Sequence, residues 1–181
     1  MDMDLESLNN YVVTPITGLI EGFVVLPKQT KHFIMMAATI GLSRNPSLFQ
    51  QTGDSYGLFH IKEEQHSEIW DHYLVKNPDL ASTVRGLASQ RQFLQTPHTE
   101  LCTNLNYATA IAAFALSIHK QSFQVGLTLH QQVALLNAVF PGFKGISRKE
   151  WQQATIQLKS NQSQPLLLRK IQDKAPVAVC A

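Results

Sequence analysis

The stretch TELCTNLNYATAIAAFALSIHK, residues 99–120, constrains the fold more than any other part of the chain. Read as a helix, it sets Leu101, Leu105, Ala108, Ala112 and Ala115 along one side, and its alanines let a neighbouring helix approach closely. Such a helix belongs at the buried centre of a helical domain. The rest of the chain must then supply the helices around it.

The spacing of apolar residues supplies them. KQTKHFIMMAATIGLS puts Phe33, Ile34, Ala37, Ala38 and Leu42 three and four apart. EEQHSEIWDHYLVKNP does the same with His66, Ile69, Trp70, Tyr73 and Leu74, and stops before Pro78. A third helix starts at Asp79 as N-cap and carries Leu80, Val84, Leu87 and Leu94. TLHQQVALLNAVF follows Gly126 with Thr128 as cap, and SRKE at 147–150 is a capping box for KEWQQATIQLK. The spacing therefore predicts helices over residues 30–43, 63–76, 79–94, 99–119, 128–140 and 148–159, the one from Thr99 being the most buried. No period-two alternation lasts long enough to build a sheet, so the fold class is mainly α, with one short extended or hairpin segment near residues 52–61. Residues 30–160 read as one helical domain, 1–29 as an N-terminal segment and 161–181 as an irregular tail.

Composition narrows the function classes. A chain of 181 residues with 44% apolar content buries a real core. Its formal charge is +2 and its basic residues are scattered, which gives nucleic acid no support as a partner. YVVTPITGLIEGFVVLP is interrupted by Pro15, Gly18, Glu21 and Gly22 and falls short of a membrane span. The opening MDMDLESLNN is acidic where a signal peptide needs positive charge, so the expected location is cytoplasmic, with a specialised secretion system or a phage particle as the route elsewhere. Cys102 and Cys180 lie far apart and read as thiols outside a disulfide.

The segment TGDSYGLFHI, residues 52–61, falls between two predicted helices. GDSYGLFHI resembles the G-x-x-GLMQI turn of lysozyme-like lytic transglycosylases and goose-type lysozymes. NLNYATAIAAFAL, from Asn104, is similar to that family's N-I-x-x-G-x-x-Y-L central helix, and ALLNAVFPG, around Asn137, to its A-x-Y-N-A-G helix. The resemblance covers roughly residues 30–140. It implies a lysozyme-like helical domain with a sugar cleft, and carries Tyr56, Gly57, Phe59, His60, Asn104 and Asn137 over as cleft residues.

The same resemblance marks what is missing. The family's general acid is the Glu of E-S-x-x-N-P, and a glycosidase needs such a desolvated carboxyl to protonate the leaving oxygen. Here the stretch reads GLSRNP: aligned on Asn45 and Pro46 the acid position is Gly41, aligned on Gly57 it is Leu42, and aligned on the goose-type SRES it is Asn45. None donates a proton. The Tyr of the third motif is Leu136, its Gly is Val139, and the Gln of the turn is His60.

Asp54, Glu63, Glu64 and Glu68 stand near the turn as substitute acids, although acids there more often cap a helix or face water. His66 and His72 are six apart, not the four of a helical metal pair, so neither a metal nor another cofactor is expected. Phe59, Trp70 and Tyr73 read either as core or as an aromatic wall for a sugar ring. Three functions follow: a noncatalytic lysozyme-like module that binds a protein partner or peptidoglycan in a bacterial or phage system; a peptidoglycan hydrolase with a relocated acid; and a helical adaptor unrelated to lysozyme.

Overall fold

The computed structural model describes residues 4–45, 51–123 and 126–162. The chain is mainly helical with a small hairpin segment, as its periodicity predicts. Helix α1 covers residues 5–21, two α-helical stretches, Leu5–Leu8 and Thr14–Glu21, joined by a wider π turn at Asn9–Val13. Asp4 caps it, its carboxylate accepting from the backbone N–H groups of Glu6 and Ser7. Leu5, Leu8, Val13, Ile16 and Ile20 enter the common hydrophobic cluster, so residues 5–21 pack on the core that the later helices form. Pro15, one of the interruptions that argued against a membrane span, sits in the first turn of Thr14–Glu21, directly after the π turn.

Helix α2, Thr30–Arg44, leads to three two-residue strands: β1 Gln51–Thr52, β2 Ser55–Tyr56 and β3 Ile61–Lys62. They form an antiparallel sheet in the order β1-β2-β3, with Thr52 opposite Ser55 and Tyr56 opposite Ile61. Helix α3, residues 63–76, changes winding from α at Glu63–Glu68 to π at Ile69–Tyr73 and 3₁₀ at Leu74–Lys76. Its apolar side holds Ile69 and Leu74, but Tyr73 faces outward.

The helix expected over 79–94 is two helices, α4 Pro78–Leu87 and α5 Gln90–Gln95. Ala88 is extended at the break, and the Ser89 hydroxyl caps α5 by accepting from Gln92 N at 3.2 Å. Leu94, expected in the core, is 78% exposed. The cap of α4 is Asn77, not Asp79: its Oδ1 accepts from Leu80 N, and Pro78 follows at the position where proline suits a helix start.

The helix expected over 99–119 is likewise broken. A 3₁₀ turn, Pro97–Thr99, and α6, Glu100–Thr103, meet α7, Leu105–Ile118, at 108°. Asn104 makes the corner, extended in backbone and accepting from Tyr107 N at 3.1 Å as the cap of α7. Every residue from Tyr107 to Leu116 is buried, and α7 is contacted by α1, α2, α3, α4 and α6. The buried centre is thus α7, reached only after the corner.

Helix α8, Leu129–Val139, begins at the Thr128–Gln131 capping box, and α9, Arg148–Gln162, at reciprocal bonds between Ser147 and Glu150. Both caps are those expected from sequence. Helix α9 packs along α2. Among the described residues, no single helix is long and apolar enough to cross a membrane. Pro46, Cys180 and the tail beyond Gln162 lie outside the described residues.

Candidate functional site

The turn between β2 and β3 is gripped on three sides by glycine contacts. Gly57 has φ +66°, and a Cβ built there would lie 1.9 Å from Leu101 O, the carbonyl at the start of α6. A Cβ on Gly41, near the end of α2, would lie 2.1 Å from Leu58 O. One on Gly142, in the 3₁₀ turn Pro141–Phe143, would lie 1.8 Å from His60 O. Real Cβ contacts do not come that close, so all three positions exclude a side chain unless the backbone moves. The expectation that Gly57 permits a close approach thus has a named counterpart, Leu101.

The three readings of the missing acid now have places. Gly41 is buried against the turn backbone, Leu42 packs half-buried against the core, and Asn45 ends α2 in extended backbone. Asn45 lines a depression with Arg44, His60, Gly142, Phe143 and Lys144. Arg44 ties the end of α2 to the chain beyond α8: it pairs with Glu150 at 2.7 Å and donates to Phe143 O and to Gly145 O. That pairing holds the Glu150 carboxyl down at about 2. His60 lies 4.6 Å from the Phe143 ring, and burial followed by Arg44 lowers its pKa.

The six expected cleft residues do not share one cleft. Phe59 is fully buried and stacks on Phe140. Asn137 clasps Ile146, accepting from its N–H and donating to its carbonyl. His60 faces Phe143, whereas Tyr56 faces His98, with ring centres 5.7 Å apart. Asn104 is the corner of α6 and α7. The aromatic wall does not form either: Trp70 points to Tyr107 and Phe93, and Tyr73 faces outward beside Lys76.

On the Tyr56 side lies a hydrogen-bonded chain that sequence reasoning missed. Trp70 Nε1 donates to Tyr107 Oη at 2.7 Å, and Tyr107 Oη lies 2.6 Å from His66 Nε2. His66 Nδ1 lies 2.8 Å from His98 Nδ1, and His98 Nε2 is 3.4 Å from Glu63 Oε1. One assignment of protons satisfies the three hydrogen bonds: Trp70 Nε1–H to Tyr107, Tyr107 O–H to His66, His66 Nδ1–H to His98, with Glu63 facing the far side of the His98 ring. His66, 1% exposed, is pushed down to about 3 by burial and then by His98. Burial raises Tyr107, and raises Tyr56 with help from Glu63. His66 is therefore a neutral link in this chain, while His72 is exposed.

Of the substitute acids, Asp54 pairs with Lys62 at 2.8 Å, which lowers its carboxyl, the opposite of what a proton donor needs. Glu63, Glu64 and Glu68 are exposed. Among the described residues the buried acid is Glu100, 1% exposed. Its Oε2 accepts from Asn104 Nδ2 at 3.2 Å, and its Oε1 has no hydrogen-bond partner. Its spacing of four before the capping Asn104 is the one sequence signal that points to it. Cys102 is buried and forms no disulfide, and burial raises its thiol.

No protein-family model matches the chain, and comparisons with curated proteins and with solved structures give no match.

Proposed function

We propose that this chain is a noncatalytic lysozyme-like module that acts by binding, with a protein partner as its principal contact and peptidoglycan as a secondary one, in a bacterial or phage setting. The observation that carries the reading is at Gly41. In the alignment on Asn45 and Pro46, the residue at the family's acid position has no room for a Cβ, because Leu58 O would stand 2.1 Å from it. The position is closed by backbone as well as chemically empty. General acid catalysis supplies typically 10²- to 10⁴-fold in rate, so a site without it leaves little glycan cleavage.

The test is turnover of a cell-wall suspension by the native chain, Gly41→Glu and Asn45→Glu, with retention on insoluble peptidoglycan measured in parallel. No turnover by any of them is expected, and Gly41→Glu is expected to melt early. Retention would place the contact on glycan; neither turnover nor retention would support a protein partner. Robust turnover by the native chain overturns the proposal.

A second reading, a hydrolase with a relocated acid, is favoured by one observation: Glu100 is a buried carboxyl at the start of α6, beside the turn contact at Leu101. Native turnover that disappears in Glu100→Gln would establish it.

A further inference from the structure

One depression, of about 540 Å³, opens between the start of α5, α6 and the start of α7, lined chiefly by Ser89, Gln92, Glu100, Thr103, Asn104 and Asn106. Most donors of this lining are already engaged. Asn104 Nδ2 donates to Leu87 O at 2.7 Å and to Glu100 Oε2 at 3.2 Å. Gln92 Nε2 donates to Thr96 Oγ1 at 2.9 Å and to Thr99 Oγ1 at 2.7 Å. That amide orientation is fixed by the network, since the Thr99 hydroxyl donates to Thr96 O and so meets Gln92 as an acceptor. The Thr103 hydroxyl donates to Thr99 O.

Besides the Asn106 amide and the Ser89 hydroxyl at its rim, what these side chains offer is acceptors: Gln92 Oε1, the Thr103 oxygen and Glu100 Oε1, the last buried without a partner. Neither Lys nor Arg is among the residues that line the depression. Arg85, the cation that acts on nearby Tyr107, donates through Nη2 to Gln90 O and lies over the Phe93 ring, its Nη1 buried without a partner; it makes no ion pair with Glu100 among the described residues.

We propose that this depression binds a primary ammonium group, with Glu100 as its counter-ion and Gln92 and Thr103 as further acceptors. An ammonium is compact and brings three N–H donors with one positive charge, the complement of three acceptors of which one is a carboxylate. A carboxylate or phosphate ligand would meet repulsion, and a neutral alcohol would lack the charge. Glu100 Oε1 is covered while Gln92 and Thr103 are exposed, so the proposal requires a rim side chain to move aside when the ammonium reaches it. The proposal takes Glu100 as a counter-ion and not as a proton donor. Wall turnover reports on the second role and ammonium binding on the first, so the two readings fail separately.

The experiment is an NMR titration of the full chain, following the backbone amides of Thr103 to Asn106. The ligands are propylammonium, 1-propanol and Nα-acetyl-lysine amide at matched ionic strength. Saturable shifts with propylammonium in the millimolar range are expected, with none from 1-propanol. Glu100→Gln should weaken binding by about ten-fold or more, the loss expected for one charge-assisted hydrogen bond. Binding of the lysine derivative as well would identify a peptide side chain as the source, and propylammonium alone a free amine. Equal shifts from 1-propanol, an unsaturable response to propylammonium, or native affinity in Glu100→Gln overturns the proposal. If Glu100→Gln does not fold, the contrast between amine and alcohol on the native chain decides.

Discussion

Replacing Gly57 by alanine tests the grip on the turn, because the structure separates two costs that usually arrive together. The first is conformational: at φ +66° a Cβ costs about 1–2 kcal/mol. The second is steric: the Cβ would stand 1.9 Å from Leu101 O, and relieving such overpacking costs about 1–3 kcal/mol. Gly57→Ala should therefore lose about 2–5 kcal/mol, a fall in Tm of roughly 5–15 °C for a chain of this size. Other glycines isolate each part. Gly126 has φ +82°, and a Cβ there would meet nothing within 4 Å, so Gly126→Ala carries only the conformational cost. Gly142 is not in the left-handed region but has His60 O at 1.8 Å, so Gly142→Ala carries only the steric one. Gly86, inside α4 with nothing within 4 Å, should gain about 0.5–1 kcal/mol as alanine. Thermal melts and urea titrations of the four variants give the values. If Gly57→Ala costs no more than Gly126→Ala, the Leu101 contact is not a constraint and the turn is not gripped from that side.

Tyr107→Phe removes the hydroxyl that joins Trp70 to His66 and leaves two buried nitrogens without a partner, so urea unfolding should show a loss of about 2–4 kcal/mol. Asn104→Asp keeps the cap acceptor but removes both N–H donors and sets a carboxylate beside Glu100, so in thermal melts it should be at least as damaging as Asn104→Ala. His66 should make stability pH-dependent: the unfolded chain takes up its proton below about 6.5 while the folded one resists until about 3. That contribution is fully present above pH 6.5 and is lost as pH falls toward 3, with a slope of at most about 1.4 kcal/mol per unit. His66→Gln should flatten the stability profile between pH 6.5 and 5, above the range where ordinary carboxylates titrate; an unchanged slope would show that His66 is not held neutral.

Much of the fold is legible in the sequence because its signals are local. Thr128 with Gln131, and Ser147 with Glu150, announce helix starts by chemistry that acts across three residues, and both caps form as read. The breaks escape the same reading for a related reason. Asn104 is a good cap, but it sits inside an apolar pattern that continues across it, from Leu101 to Leu105 and Ala108, and the periodicity cannot see a 108° corner. Ser89 hides in the same way between Leu87 and Leu94. Residues 5–21, read only as an N-terminal segment, form a helix despite Pro15 and Gly18, and the packing of Val13, Ile16 and Ile20 on the core outweighs that local penalty.

The candidate site is far less legible, since its features depend on partners distant in sequence. That Gly57 needs to be glycine follows in part from the turn, but its steric partner, Leu101, is 44 positions further along the chain. His66 meets His98 across 32 positions and Tyr107 across 41, so a buried histidine on a helix face looks the same as one that merely fills space. Glu100 reads from sequence as an acid at a helix start, where water normally satisfies it. Only the corner at Asn104 shows otherwise, by folding α7 back over α6 and engaging one carboxylate oxygen while leaving the other without a partner. The most informative residue of this chain is therefore the carboxyl buried beside Asn104, whose partner only the fold brings to it.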